Sequence, residues 1–184
     1  MEKIHNNILQ SNDCSTQYEI IITRQDGDWS RSISGYKAKI KLWCEAAINN
    51  VLQSSQKLPP TPTLPLEGIV KDNWDKKLLE ISIVLADDKF IKQLNYQFRG
   101  KNKATNVLSF PSDHHTGDII LSFETIKKEA KKQKKSFAFH TAHLVIHGTL
   151  HLLGFDHEKE KDAVLMEAKE ILIMKELGFS NPYN

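Results

Sequence analysis

Cysteine is scarce in this chain: 184 residues carry two, Cys14 and Cys44, with no C-x-x-C pair. That excludes a disulfide framework and points to a reducing, cytoplasmic setting. No apolar run comes near the roughly 20 residues needed to span a bilayer. The start of the chain has no basic stretch leading into an apolar one, so neither secretion nor a membrane partner is expected. Charge of one sign is missing too, because 25 Lys and Arg face 23 Asp and Glu for a formal net charge of +2. Bulk electrostatics therefore announce no nucleic-acid binder, and any basic surface has to be local.

What remains is an ordinary globular mixture, 40% hydrophobic and 26% charged, long enough for one domain with a sizeable core. Residues 1–16 are polar and aperiodic and read as a flexible tail, leaving residues 17–184 as a single domain. Tyr18 to Thr23 is β-branched and stops at Asp26-Gly27-Asp28, which predicts a strand. Apolar residues at helical spacing from Ile40 to Leu52 predict a helix, ended before the proline-rich segment 59–65. Leu79 to Leu85 predicts a strand. Asp87 and Asp88 then cap a helix carrying Phe90, Ile91, Leu94 and Phe98. Asn106 to Phe110 and Asp118 to Ser122 predict two short strands of a hairpin, joined by a loop with His114 and His115. Three helices follow, Glu124 to Lys134, Phe137 to Leu153 and Asp162 to Leu177. The order predicts an α+β domain: a small mixed four-stranded sheet packed by about five helices.

Histidine is what composition does not flatten out. Five of the eight fall between His140 and His157. Within that stretch His147, His151, Gly154 and His157 have the spacing H-x-x-x-H-x-x-G-x-x-H. Positions i and i+4 share one helix face, so His147 and His151 can aim two imidazoles at one ion. Gly154 can take the left-handed conformation that ends a helix and return the chain so that His157 supplies a third nitrogen. Three histidines and an open position describe a catalytic metal site better than a structural one. Zinc is the expected ion, although imidazoles also suit nickel and copper. His143 reads as a histidine packed behind the ligands, and His140 as a surface one. The spacing matches the metzincin proteases, but Gly148 stands where their general-base Glu belongs. A glycine in mid-helix costs about 1 kcal/mol relative to Ala, so the position calls for open space or close approach of backbone.

The run His147 to His157 resembles the H-G-x-L-H-L-x-G-x-D-H signature of the YbeY family, bacterial zinc-dependent endoribonucleases of ribosomal RNA maturation and ribosome quality control. Leu94 to Lys101, Thr105 to Pro111 and Gly117-Asp118-Ile119 resemble that family's other recurrent blocks in the same order. The resemblance implies His147, His151 and His157 as ligands of one zinc ion and Arg99 as a catalytic residue. It also implies single-strand-specific hydrolysis during 3′-end maturation of small-subunit ribosomal RNA. The ribosome is then the partner, with ribosomal proteins or an assembly GTPase beside it. Asn106 departs from the more usual Asp of its block. Lys101 and Lys103, near Arg99, are the candidates for tracking an RNA backbone, whereas the lysines between Lys127 and Lys135 read as a solvated helix face. Ser109, Asp118 and Asp156 read first as turn or cap residues. Trp43, Trp74, Phe137, Phe139 and Met166 read as core. Two other functions fit the residues less well: a metal-stabilised ribosome- or RNA-binding factor without catalysis, and a metallopeptidase with an atypical base.

Overall fold

The computed structural model describes residues 18–56, 79–112 and 116–184. The tail 1–16, the proline-rich 59–65 segment, Trp74, His114 and His115 lie outside the described residues. The elements run β1 (Tyr18–Arg24), α1 (Trp29–Ser32), α2 (Tyr36–Gln56), β2 (Leu79–Ala86) and α3 (Asp88–Arg99), followed by β3 (Val107–Pro111), β4 (Thr116–Ser122), α4 (Phe123–Lys132), α5 (Phe137–Leu152) and α6 (Glu160–Glu176).

The strands form one mixed sheet in the order β1-β2-β4-β3, in which β1, β2 and β4 are parallel and β3 returns antiparallel beside β4. The α+β architecture and the 3–4 hairpin are those expected. The helices differ in one respect: a single turn, α1, precedes α2. It exists to deliver Trp29, which is fully buried. Its indole Nε1–H donates to the Asp26 carbonyl at 3.0 Å, and its ring meets Phe123 and Phe137 edge-on or tilted at 5.4 and 5.5 Å. A turn reading of 26–28 overlooks it because one tryptophan has no period.

Side chains alternate across a strand, and β2 uses both faces. Ile81, Ile83 and Leu85 join Ile119 and Leu121 of β4 in the main core, which α2, α5 and α6 fill with Trp43, Ile48, Val145, Leu150, Met166 and Ile173. Ala86, Leu108 and Ile120 point the other way onto Ile91 of α3. The sheet is therefore covered on both sides, and its edge strand β3 lies between α3 and α5.

α5 is the central helix. It is apolar on almost every side, as a fully buried helix must be, and touches α2, α4, α6, β3 and β4. The Ser136 hydroxyl caps its start by accepting from Phe139 N at 3.1 Å. His140 corrects the surface expectation, because it is buried. α4 packs on this end of α5, and its Glu129 accepts from His140 Nε2 at 2.8 Å, which is the partner a buried imidazole needs. The Asn106 amide donates to the same Glu129 oxygen at 2.9 Å. The His140 bond, and to a lesser degree the Asn106 bond, hold the Glu129 carboxyl below its usual range against a smaller opposing effect of burial.

Candidate metal centre and its surroundings

The two i, i+4 histidines lie at the C-terminal end of α5, and the turn after it brings in the third. Gly154 sits in the left-handed region at φ 91°. Gly154 N donates to the His151 carbonyl and Phe155 N to the Leu150 carbonyl, each at 3.0 Å. This pair of bonds is the Schellman end of a helix. Phe155 and Leu150 are both buried and belong to the same apolar cluster. The chain is thereby reversed, and one nitrogen from each of His147, His151 and His157 lies within 4.8 Å of the others. Asp156 has the modest role expected of it, accepting from the backbone N of His157 at 2.7 Å.

Hydrogen bonds identify which nitrogens face inward. His147 Nδ1 lies 2.8 Å from Glu170 Oε1, and His151 Nδ1 lies 3.0 Å from the Phe155 carbonyl. A carbonyl only accepts, and so does an ionised carboxylate, so both Nδ1 atoms carry hydrogen. A neutral imidazole has one N–H, so in the neutral form of each ring Nε2 is the bare lone pair. Those two atoms face each other at 3.1 Å. Burial, with His147 and His157 nearby, pushes His151 down to about 4, which leaves its Nε2 unprotonated near neutral pH. Two neutral rings so arranged aim both lone pairs at one point, where a single cation could lie against both. Two imidazole nitrogens bound tetrahedrally to zinc at about 2.0–2.1 Å stand about 3.3 Å apart. The donor set thus fits a late transition ion, for which His157, which is exposed, would be the third ligand.

Glu170 of α6 is fully buried behind His147. His143 Nε2 donates to its Oε2 at 2.8 Å, and the Tyr183 hydroxyl donates to the same oxygen. Burial alone would push this carboxyl up, but the hydrogen bonds from His143 and His147 outweigh it and bring it down to about 2. His143 is therefore packed beside His147 on the shared Glu170, in line with the packed role expected of it.

Gly148 is explained by the approach of α5 to the sheet. A Cβ there would lie 3.0 Å from both Ile119 Cγ2 and Ser109 Oγ. The protease glutamate has no room at this position. The Ser109 hydroxyl is buried against the glycine and has no hydrogen-bond partner among the described residues.

Arg99, Lys101 and Lys103 lie at and beyond the C-terminal end of α3, and all three are exposed. They are on a pinned loop. Gly100 caps the helix at φ 65°, and buried Asn95 donates its amide to the Lys103 carbonyl at 2.8 Å while its own carbonyl accepts from Lys101 N at 3.2 Å. Phe98, just before Arg99, meets Phe110 of β3 at 5.1 Å. Ser109, the next residue along β3, faces Gly148 between two of the histidines. The basic loop and the histidine cluster thus flank one edge strand.

The sequence profile described as Endoribonuclease YbeY matches residues 37–178. The chain belongs to the YbeY family. A relative named Endoribonuclease YbeY from Magnetococcus marinus is 43% identical over 127 residues, 60% of this chain and 86% of that protein. Another of that name from Rhizobium etli is 42% identical over 141 residues, 72% of this chain and 74% of that protein. The solution structure of TM1509 from Thermotoga maritima, 22% identical, overlays with a TM-score of 0.48 on 90% of this chain and 99% of that one. Among the described residues no helix is long and apolar enough to cross a membrane.

Sequence reasoning missed Glu170, Tyr183 and Asn95. The signal for Glu170 was available: Met166, Glu170, Ile173 and Met174 are the buried positions of α6, so a carboxylate stands in a core stripe, where it is rare unless paired. Tyr183 had no such signal, since only the folded chain brings it to Glu170. The lysines 127, 128, 131, 132 and 134 are exposed, a solvated face as expected. Asp118 is exposed on β4 and Phe137 is partly buried.

Proposed function

We propose that the chain is a metal-dependent endoribonuclease that hydrolyses single-stranded segments of ribosomal RNA, in 3′-end maturation of the small-subunit RNA and in ribosome quality control. Membership of the YbeY family supports hydrolysis of RNA. The observation that carries the metal dependence is the pair of Nε2 atoms of His147 and His151 facing each other at 3.1 Å, each ring having its Nδ1 against an acceptor. Zinc is the ion proposed, held by His147, His151 and His157. Bound there it supplies Lewis acidity beside a phosphodiester and lowers the pKa of a water toward neutrality.

The rest of the chemistry belongs to the side chains. Glu170 and the Phe155 carbonyl orient the two helix histidines. Arg99 is the catalytic residue proposed beyond the ligands: its guanidinium makes charge-assisted hydrogen bonds to phosphoryl oxygens as negative charge grows on them. Lys101 and Lys103 hold the flanking backbone phosphates in a salt-dependent way. The partners are ribosomal RNA and the ribosome, together with ribosomal proteins or a GTPase of ribosome assembly, in the cytoplasm. The test is cleavage of a 3′-extended small-subunit RNA fragment by wild type and Arg99→Ala. Loss of one charge-stabilising donor lowers the rate about 10²–10³-fold with RNA binding retained. Undiminished cleavage removes Arg99 from the mechanism. A wild type that binds this RNA, loses its fold with a chelator and never cleaves would instead be a metal-stabilised binding factor.

A further inference from the structure

A carboxylate with no access to water needs a donor at each oxygen. Glu170 meets this requirement with donors from two separate parts of the chain. His147 Nδ1–H serves Oε1 at 2.8 Å, and His143 Nε2–H serves Oε2 at 2.8 Å. The Tyr183 hydroxyl, from the segment after α6, also serves Oε2.

That segment is itself seated. Phe179 packs edge-on against Trp43 and Phe139 at 6.3 and 5.6 Å. Lys135 Nζ donates to the Pro182 carbonyl. The Tyr183 ring then stands edge-on to His143 at 5.4 Å. Core contacts on one side and a lysine on the other thus place the phenol at the carboxylate.

We propose that Glu170, fixed by Tyr183 and His143, is the positioning group of the metal centre, holding His147 in the one tautomer that leaves Nε2 free to bind an ion. The inference rests on the reading of His147 as a metal ligand. A neutral imidazole carries its hydrogen on Nδ1 or on Nε2, and only the first form can bind metal through Nε2. A carboxylate at Nδ1 selects that form, fixes the ring plane and makes the ligand more basic. His151 obtains the same selection from the Phe155 carbonyl at 3.0 Å, but a neutral carbonyl is the weaker acceptor. Glu170 also places a negative charge behind the ion. Tyr183 and His143 touch no metal and act through the carboxylate. Without the phenol, Oε2 keeps one donor of two and the carboxylate is less firmly held.

The test uses the full chain with Glu170→Gln and Tyr183→Phe, and reads zinc affinity by competition with a chromophoric chelator. The histidine tautomers of the zinc-free protein are read by ¹⁵N NMR, and its thermal unfolding is followed separately. Glu170→Gln is expected to weaken zinc about 10–100-fold and to give His147 mixed tautomer signals. Tyr183→Phe keeps the ring packing and is expected to weaken zinc by a smaller factor, about three- to tenfold, as one donor of several behind the ligand. If Glu170→Gln does not fold, Tyr183→Phe carries the test alone. Unchanged zinc affinity and tautomer in a Tyr183→Phe protein that merely melts earlier would overturn the inference and leave Glu170 as a tie between helices. A wild type that binds no zinc would overturn the metal reading itself, and this inference with it.

Discussion

Gly148→Ala should destabilise the protein, against the ordinary expectation for a helix. In an open helix interior the exchange gains about 1 kcal/mol of helix preference. Here the new Cβ meets Ile119 Cγ2 and Ser109 Oγ at 3.0 Å and Ile119 Cδ1 at 3.3 Å, where carbon contacts are comfortable at about 3.5–4.0 Å. Ser109 can rotate its hydroxyl, but Ile119 cannot yield. It is fully buried on β4, which is paired on both sides by β2 and β3, and its χ1 is stiff. The helix has to back away from the sheet. Overpacking of this kind costs about 1–3 kcal/mol, and with an unyielding neighbour the upper end applies. After the propensity gain the net loss is about 2 kcal/mol, which for a chain of this length is a fall in Tm of about 4–8 °C. Thermal unfolding followed by circular dichroism at fixed zinc measures it. Ser109→Ala in the same background removes one of the three crowding atoms together with a hydroxyl that has no partner, and should return about 0.5 kcal/mol or more. An unchanged or raised Tm in Gly148→Ala would refute the close-approach argument, and with it the reason given for the missing protease glutamate.

Other outcomes follow from single contacts. Gly154→Ala forces a side chain into the left-handed region at a cost of about 1–2 kcal/mol. Because the same turn carries His157 and the Phe155 carbonyl, zinc affinity should fall with stability, and a fall in stability alone would contradict that coupling. Asn106→Asp restores the residue more usual in its block yet sets a carboxylate against Glu129 in place of a donor. It should cost about 2 kcal/mol at neutral pH, the worth of a hydrogen bond to a charged group. The pH dependence has a definite sign. In the wild type the lowered Glu129 carboxyl contributes stability above its unfolded pKa of 4.5 and loses it as pH falls. In the variant the paired carboxylates raise a pKa, so stability is recovered as pH falls and the two Tm curves converge in acid. A gap that widened in acid would refute this. The Cys44 thiol is buried and pushed up to about 12, chiefly by burial, so the native chain should resist thiol reagents at this site at pH 8 and react there only when unfolded.

Apart from the single turn α1, the sheet and its helices were legible because strands and longer helices announce themselves by period. Ile81, Ile83 and Leu85 alternate, and α3 places Ile91, Leu94 and Phe98 on one stripe. The clustering of His147, His151 and His157 was legible because spacing within one helix and one turn is enough to bring them together. Their surroundings were not. Glu170 reaches His147 from 23 residues away and Asn106 reaches Glu129 from 23, and no local pattern encodes such meetings. His140 was misread for the same reason: its burial is decided by α4, a neighbour that sequence spacing cannot place. Gly148 was legible as an anomaly, and only the distance to Ile119 says what it is for.

The most direct measurement is cleavage of a structured ribosomal RNA with single-stranded ends by wild type and His151→Ala, prepared side by side, both shown to be folded and both supplied with zinc. His151 provides one of the two facing Nε2 atoms and is only partly buried, so its loss removes a proposed ligand without emptying the core. The account predicts cleavage by the wild type, abolished by a chelator and restored by zinc, and none by the variant. Equal cleavage by both proteins, or none by a zinc-loaded wild type that binds the RNA, would contradict it.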